Sequence, residues 1–382
     1  MVHTDRPDVE TPAVGGLDRR TLLGALGAGI GAATVLATPR PARAGAPTSD
    51  RAPAPRTLAT RPLRSGIVRP GFDAQVVALR SPAGSAPARW RSADRSGAWS
   101  RWAPAPGGCT AGAGDAAPAT EQLAFVTVPN APAVDLDLPP GSRAVVLNGT
   151  DGPALRPASA EVSERSRLAG LPFLSRAAWG ADESLRFDAA GVEKYPPTFW
   201  PVQTFTVHHT ATGNDDPDPA ARMRAIYRYQ AIDLGYGDFG YHFLVDEAGR
   251  VYEGRRSGGD VLPGFDPAGW MVNGSHVGGY NAGNVGVVLL GTFVAREPTA
   301  AARRSLTLLL AALTGWCHVD PLASVTYVNP ISGLRRSVPA IAGHQDWGPT
   351  ECPGGVLSGM LGDLRQEIAA VLADPRRSAF VG

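Results

Sequence analysis

Between residues 150 and 170 the pattern of apolar residues changes, and no other feature constrains the fold of this chain as much. Ahead of that stretch the runs are short, among them "FDAQVVALR", "ARWRSAD", "EQLAFVTVP" and "RAVVLNG". Several alternate apolar with polar residues, and Gly, Pro and Asn separate them. Alternation with period two sends successive side chains to opposite faces of a strand, so residues 63–149 are expected to form a small all-β, sandwich-like domain. Behind it, "VQTFTVHH" and "NVGVVLLG" read as strands, "YHFLVDEAGRVYEG" as a hairpin turning at Ala248-Gly249, and "SVPAIAGH" as one further strand. Helices lie between and after them: "PDPAARMRAIYRYQAIDLG", with Pro219 near its first turn and Gly235 at its end, "PTAAARRSLTLLLAALTGWC" and "LSGMLGDLRQEIAAVLAD". The fold class expected for residues 171–375 is therefore α/β, a central mixed sheet flanked by helices, with residues 45–62 and 150–170 as linkers.

The N-terminus has its own logic. A paired Arg19-Arg20, a Gly/Ala/Leu run from Thr21 to Ala37 and the small-residue pattern Ala42-Arg43-Ala44 make residues 1–44 a signal peptide of twin-arginine type. The run falls short of the ~20 strongly apolar residues of a bilayer span and is diluted by glycine, which favours cleavage over anchoring. The protein is thus expected outside the cell or in the cell wall, with no membrane contact once the signal is removed. The formal charge of +1 excludes a partner held by bulk charge, such as nucleic acid. Three cysteines are too few for the disulfide framework of an exported chain, so at least one is unpaired or chemically employed. Cys109 and Cys317 fall in different expected domains, and no bridge between them is expected.

Chemistry-bearing residues gather at the ends of expected strands. His208-His209 closes "VQTFTVHH", Tyr241 opens the hairpin, and "GHQDWGPTECPG" carries His344 and Cys352. Two histidines and a thiolate suit Zn²⁺ and leave a fourth position for water. The spacing of His344 and Cys352 alone is equally compatible with a histidine satisfied by backbone groups and a buried thiol acting as a small apolar residue. Alternation places His208 on one face with Thr204 and Thr206, and His209 on the other with Phe205 and Val207.

Five stretches carry a resemblance: "SRAAWGA", "TVHHTATG", "GYHFLVDEAGRVYEGR", "NVGVVLLGTF" and "GHQDWGPTECPG". In this order, over Leu171 to Asp374, they are similar to the zinc-dependent N-acetylmuramoyl-L-alanine amidases of the peptidoglycan recognition protein type. The resemblance implies Zn²⁺ held by His208, His344 and Cys352, with the first histidine of the doublet as ligand. It also implies Tyr241 as a catalytic tyrosine and Thr350 as a contact to the reacting carbonyl. The implied reaction is hydrolysis of the amide between N-acetylmuramic acid and L-alanine of peptidoglycan, with muramyl peptides as the partner. Two other readings stay open, a peptidoglycan-binding module without catalysis and a zinc peptidase acting on stem peptides. Unlike animal members, the chain lacks a cysteine pair near the first helix of this region, and it has an extra "DPLASVTYVNPISGLRRS" before the last strand. Tyr252, Trp270, Tyr280 and Trp347 are candidates for sugar or peptide contacts, with packing as an equal alternative. Asp346 and Glu351 could orient a ligand, and His242, His276 and His318 receive no role.

Overall fold

The computed structural model describes residues 54–106, 109, 114–155, 173–258 and 262–374. The signal peptide expected over residues 1–44 lies outside them, as does most of the expected second linker. No helix among the described residues is long and apolar enough to cross a membrane.

The N-terminal strands form two four-stranded antiparallel sheets. One contains Ala74–Pro82 between Arg143–Asn148 and Glu121–Ala131, and the other is built on Arg89–Ala93 and Ala133–Asp137. Val77, Leu79, Val126, Val128 and Val146 meet Val134 and Leu136 between the sheets, which is the expected sandwich core. The alternate residues Val76, Ala78, Leu123, Phe125, Val145 and Leu147 are buried as well, against Met223, Ile226 and Tyr229 of the following half. A sheet covered on both faces needs near-continuous apolar strands, and "QVVAL" and "AVVL" supply them.

The C-terminal half is built on a six-stranded mixed sheet in the order Ile341–Gly343, Thr204–His209, Asn284–Leu289, Phe243–Val245, Val251–Glu253 and Phe173–Leu174. Its first four strands run parallel, and the expected hairpin forms the one antiparallel step. Four helices accompany it: α1 (Arg176–Trp179), α2 (Pro219–Arg228), α3 (Ala300–Trp316) and α4 (Gly355–Ala373). Leucines of α3 and α4 cover the face that carries Phe205, Val207 and Val287. Helix α2, capped by the Asp218 side chain with Pro219 behind it, covers the face of Leu244 and Val288.

One expectation on the C-terminal side needs correction. "SVPAIAGH" is not one strand. Arg335–Pro339 pairs with Ser324–Val328 in a separate hairpin, and after Ala340 the chain enters the central sheet as Ile341–Gly343. The extra segment is thus mostly that hairpin. Of the four aromatic candidates, Tyr252, Tyr280 and Trp347 are packing residues: all are buried, Tyr252 donates to Asp246, and Tyr280, Tyr327 and Trp347 pack on one another.

"SRAAWGA" also acquires a physical meaning. Ser175 caps α1, and the buried Arg176 pairs with Glu183 at 2.7 Å and Asp238 at 3.0 Å. Burial pushes the Glu183 carboxyl up, but Arg176 and then Arg186 outweigh it and hold it down at about 2. A carboxyl lowered on folding stabilises fully above its unfolded value, and that stabilisation is lost as the pH falls through the folded value. Glu183→Gln should therefore lower stability at pH 7 by about 2–3 kcal/mol. Urea unfolding of both proteins should show the difference shrinking between pH 4.5 and pH 2.

Candidate metal centre

Parallel strands bring two histidines to the same end of the sheet. Val207 pairs with Gly343, so His208 and His344 leave neighbouring strands side by side, with ring centroids 4.5 Å apart. Asp346 accepts the Gly343 N–H at 2.8 Å and tightens the turn that starts at His344, so its role is to shape that turn. Cys352 returns to this turn through its carbonyl, which accepts from Gln345 N–H at 2.9 Å. Its own N–H donates to Thr350 Oγ1 at 3.2 Å. Glu351 is exposed. The structure thus brings together the three ligands expected from the resemblance.

It also brings a fourth. Cys109, from the N-terminal half, lies among them, and the ligand atoms of Cys109, His208, His344 and Cys352 are all within 4.8 Å of one another. Tetrahedral zinc with bonds of ~2.0–2.3 Å sets ligand atoms roughly 3.3–3.8 Å apart, so the cluster has the donor types of a zinc site and lies within about 1 Å of its size. Cys352 Sγ is 3.5 Å from His208 Nδ1. Tyr241 OH lies 3.9 Å from Cys109 Sγ, and its ring centroid is 5.1 Å from that of His208. His208, His344, Cys109 and Cys352 are all buried, with Tyr241 only 6% exposed.

Burial pushes His208 down to about 4 and also lowers His209. A neutral His208 has one N–H and one lone pair, and its neighbours decide which nitrogen carries which. His276 Nε2 lies 2.8 Å from the Asn284 carbonyl, which can only accept, so His276 Nδ1 is an acceptor. His208 Nε2–H then donates to that nitrogen at 3.0 Å, leaving the His208 Nδ1 lone pair directed toward the cysteines. His276, given no role from the sequence, fixes the tautomer of a candidate ligand. Its sequence signals are two glycines: a Cβ on Gly286, within a buried strand, would stand 2.7 Å from the His276 ring, and one on Gly274 would stand 2.8 Å from it.

The other histidines divide cleanly. His209 points to the α3–α4 face, where its Nδ1 accepts from Phe293 N–H at 3.3 Å. His242 bridges Gly286 N–H and the Val272 carbonyl, and His318 is exposed after α3. The thiols also differ. The Cys352 thiol and then the two histidines hold Cys109 well below the ordinary thiol range, whereas burial alone pushes Cys317 up to about 12. All three cysteines are free.

Residues 199–355 match the model of a family described as N-acetylmuramoyl-L-alanine amidase, a range that does not include Cys109. Over 160 residues the chain is 31% identical to peptidoglycan recognition protein 1 of Mus musculus, covering 41% of this chain and 72% of that protein. It is 33% identical over 182 residues to the N-acetylmuramoyl-L-alanine amidase of Homo sapiens, covering 47% of this chain and 27% of the relative. The chain thus spans about a quarter of that relative's length. Among solved structures, human PGRP-IBETAC in complex with glycosamyl muramyl pentapeptide is 25% identical, with a TM-score of 0.36, 50% of this chain covered and 94% of that one.

His276→Ala should weaken Zn²⁺ binding by ~10–100-fold while leaving every candidate ligand in place. Competition titration against a chromogenic chelator would measure it, and an unchanged affinity would remove His276 from the centre.

Proposed function

The chain belongs to the peptidoglycan recognition protein family, and from that premise we propose that it is a zinc-dependent amidase cleaving the bond between N-acetylmuramic acid and L-alanine in peptidoglycan. The observation that carries this reading is the convergence of His208, His344 and Cys352 beside the Tyr241 hydroxyl. Those three residues would hold Zn²⁺, His208 through Nδ1. Zinc bound there supplies a Lewis acid for the amide carbonyl and lowers the pKa of water toward about 7.

The chain's own residues account for the rest. The His208–His276–Asn284 chain of hydrogen bonds fixes the ligand ring, so the site needs little rearrangement as charge builds up. Tyr241, buried and beside the ligands, donates its hydroxyl proton to the carbonyl oxygen as that oxygen becomes negative. Thr350, whose hydroxyl steadies the Cys352 turn, is the second contact to that carbonyl. We further read residues 63–149 and 171–375 as two domains of a protein exported by the twin-arginine route to the cell wall or beyond it.

Digestion of purified peptidoglycan, with end groups identified by mass spectrometry, should show muramoyl lactate and new L-alanine amines. Cys352→Ser should abolish their release, and Tyr241→Phe should lower kcat by ~10²–10³ with zinc retained. New ends within the stem peptide would mean a peptidase, and wall binding without any new ends a binding module.

A further inference from the structure

A site that hydrolyses an amide needs one coordination position open to water, whereas four protein ligands close a zinc site. Here the fourth donor is already present and solvent is excluded, since Cys109 is 6% exposed and His208 and Cys352 are fully buried. We propose that Cys109 is a fourth zinc ligand that holds the amidase in a latent state, and that hydrolysis requires its withdrawal.

Cys109 is brought to the site by deliberate-looking contacts at both ends. Its carbonyl accepts from Leu123 N–H at 2.6 Å, which ties it to the sheet edge of the sandwich. Six residues on, Asp115 is buried on the other half of the molecule. One of its oxygens accepts from the backbone N–H groups of Asn281 and Ala282, at 2.8 and 3.1 Å, and from Asn329 Nδ2 at 2.8 Å. The other accepts from Asn273 Nδ2 at 2.9 Å. Beside it, Gly278 and Gly279 leave room for the backbone of Ala117 to Ala119: a Cβ on either glycine would come within about 3 Å of that backbone. Asn329 belongs to the turn of the extra hairpin, so that insertion, which carries no ligand, helps anchor Asp115, six residues past Cys109.

Release is a ligand exchange. With zinc bound, withdrawal of Cys109 would break its bond to the metal, the thiolate leaving with its electron pair and taking a proton from solvent while a water took its place. The centre passes from two thiolates and two imidazoles to one thiolate, two imidazoles and water, gaining one positive charge. Tyr241 OH, 3.9 Å from Cys109 Sγ, would then be free of the sulfur and available to a substrate carbonyl beside that water.

The inference rests on the zinc reading above, and the test separates the two. Full-length protein is analysed for zinc and by X-ray absorption at the zinc edge. The expected result is about one equivalent of zinc with two sulfur neighbours in the wild type, and one sulfur with an added light-atom ligand in Cys109→Ala. Iodoacetamide should leave Cys109 unmodified in the zinc-loaded wild type and label it after chelation. Release of L-alanine ends from peptidoglycan should be at least ~10-fold faster in Cys109→Ala, the factor reporting how rarely the closed form opens. One equivalent of zinc with a single sulfur in the wild type would overturn the role of Cys109 and leave the metal site standing. Absence of zinc would overturn both. Two sulfurs with no gain in turnover would overturn the latency. The wild-type sulfur count needs no variant, so a failure of Cys109→Ala to fold does not spare the proposal.

Discussion

Everything distinctive here depends on one packing interface, that between the outer face of the first N-terminal sheet and helix α2. Val76, Ala78, Phe125, Val145 and Leu147 are buried against Met223, Ile226 and Tyr229, and the Phe125 and Tyr229 rings meet edge to face at 5.6 Å. Polar contacts fix its register. Arg224 donates twice to the Gly149 carbonyl, and Gly213 N–H donates to Thr127 Oγ1 at 2.7 Å. An apolar interface of this kind resists relative motion more than a polar one does. That rigidity lets a residue of one half serve as a donor in the metal cluster of the other.

The sequence made most of the architecture legible because the strands of the two halves are patterned differently. "EQLAFVTVP" and "NVGVVLLG" each correspond to a strand; the second is buried throughout, as its apolar run demands, whereas the first is buried on both faces in part although its alternation asks for one. The single strand expected over "SVPAIAGH" divides because its first residues pair with Ser324–Val328, a partner with no signature of its own in the chain. Tyr280 and Trp347, which the sequence left open between contact and packing, are packed against that hairpin, where Tyr327 packs on Trp347 and donates to the Ala282 carbonyl at 2.7 Å.

At the candidate metal centre, His208, His344 and Cys352 could be named as ligands only through the resemblance that their stretches carry, because spacing alone left them open. Cys109 could not. It lies 99 residues before His208 in a Gly-rich stretch without periodicity, and only tertiary packing brings it near. His276 was hidden for a different reason: its role consists of a tautomer, and a tautomer depends on which acceptor lies 2.8 Å away. Gly286 and Gly274, which leave room for that ring, are its traces in the sequence. Sequence motifs identify atoms that touch a metal more readily than atoms that orient those atoms.

The hydrogen bonds of Asp115 have a consequence for how such a chain can be built and rebuilt. Its four donors come from Asn273, Asn281, Ala282 and Asn329, spread over two loops of the C-terminal half, one of them the tip of the Ser324–Pro339 hairpin. A carboxylate buried among donors is costly once those donors are removed, and the donors are costly once it is gone. The two halves are therefore not interchangeable modules. A chimera that took its sandwich from one homologue and its α/β half from another would inherit either an uncompensated charge or a set of unsatisfied amides, unless hairpin and segment were exchanged together.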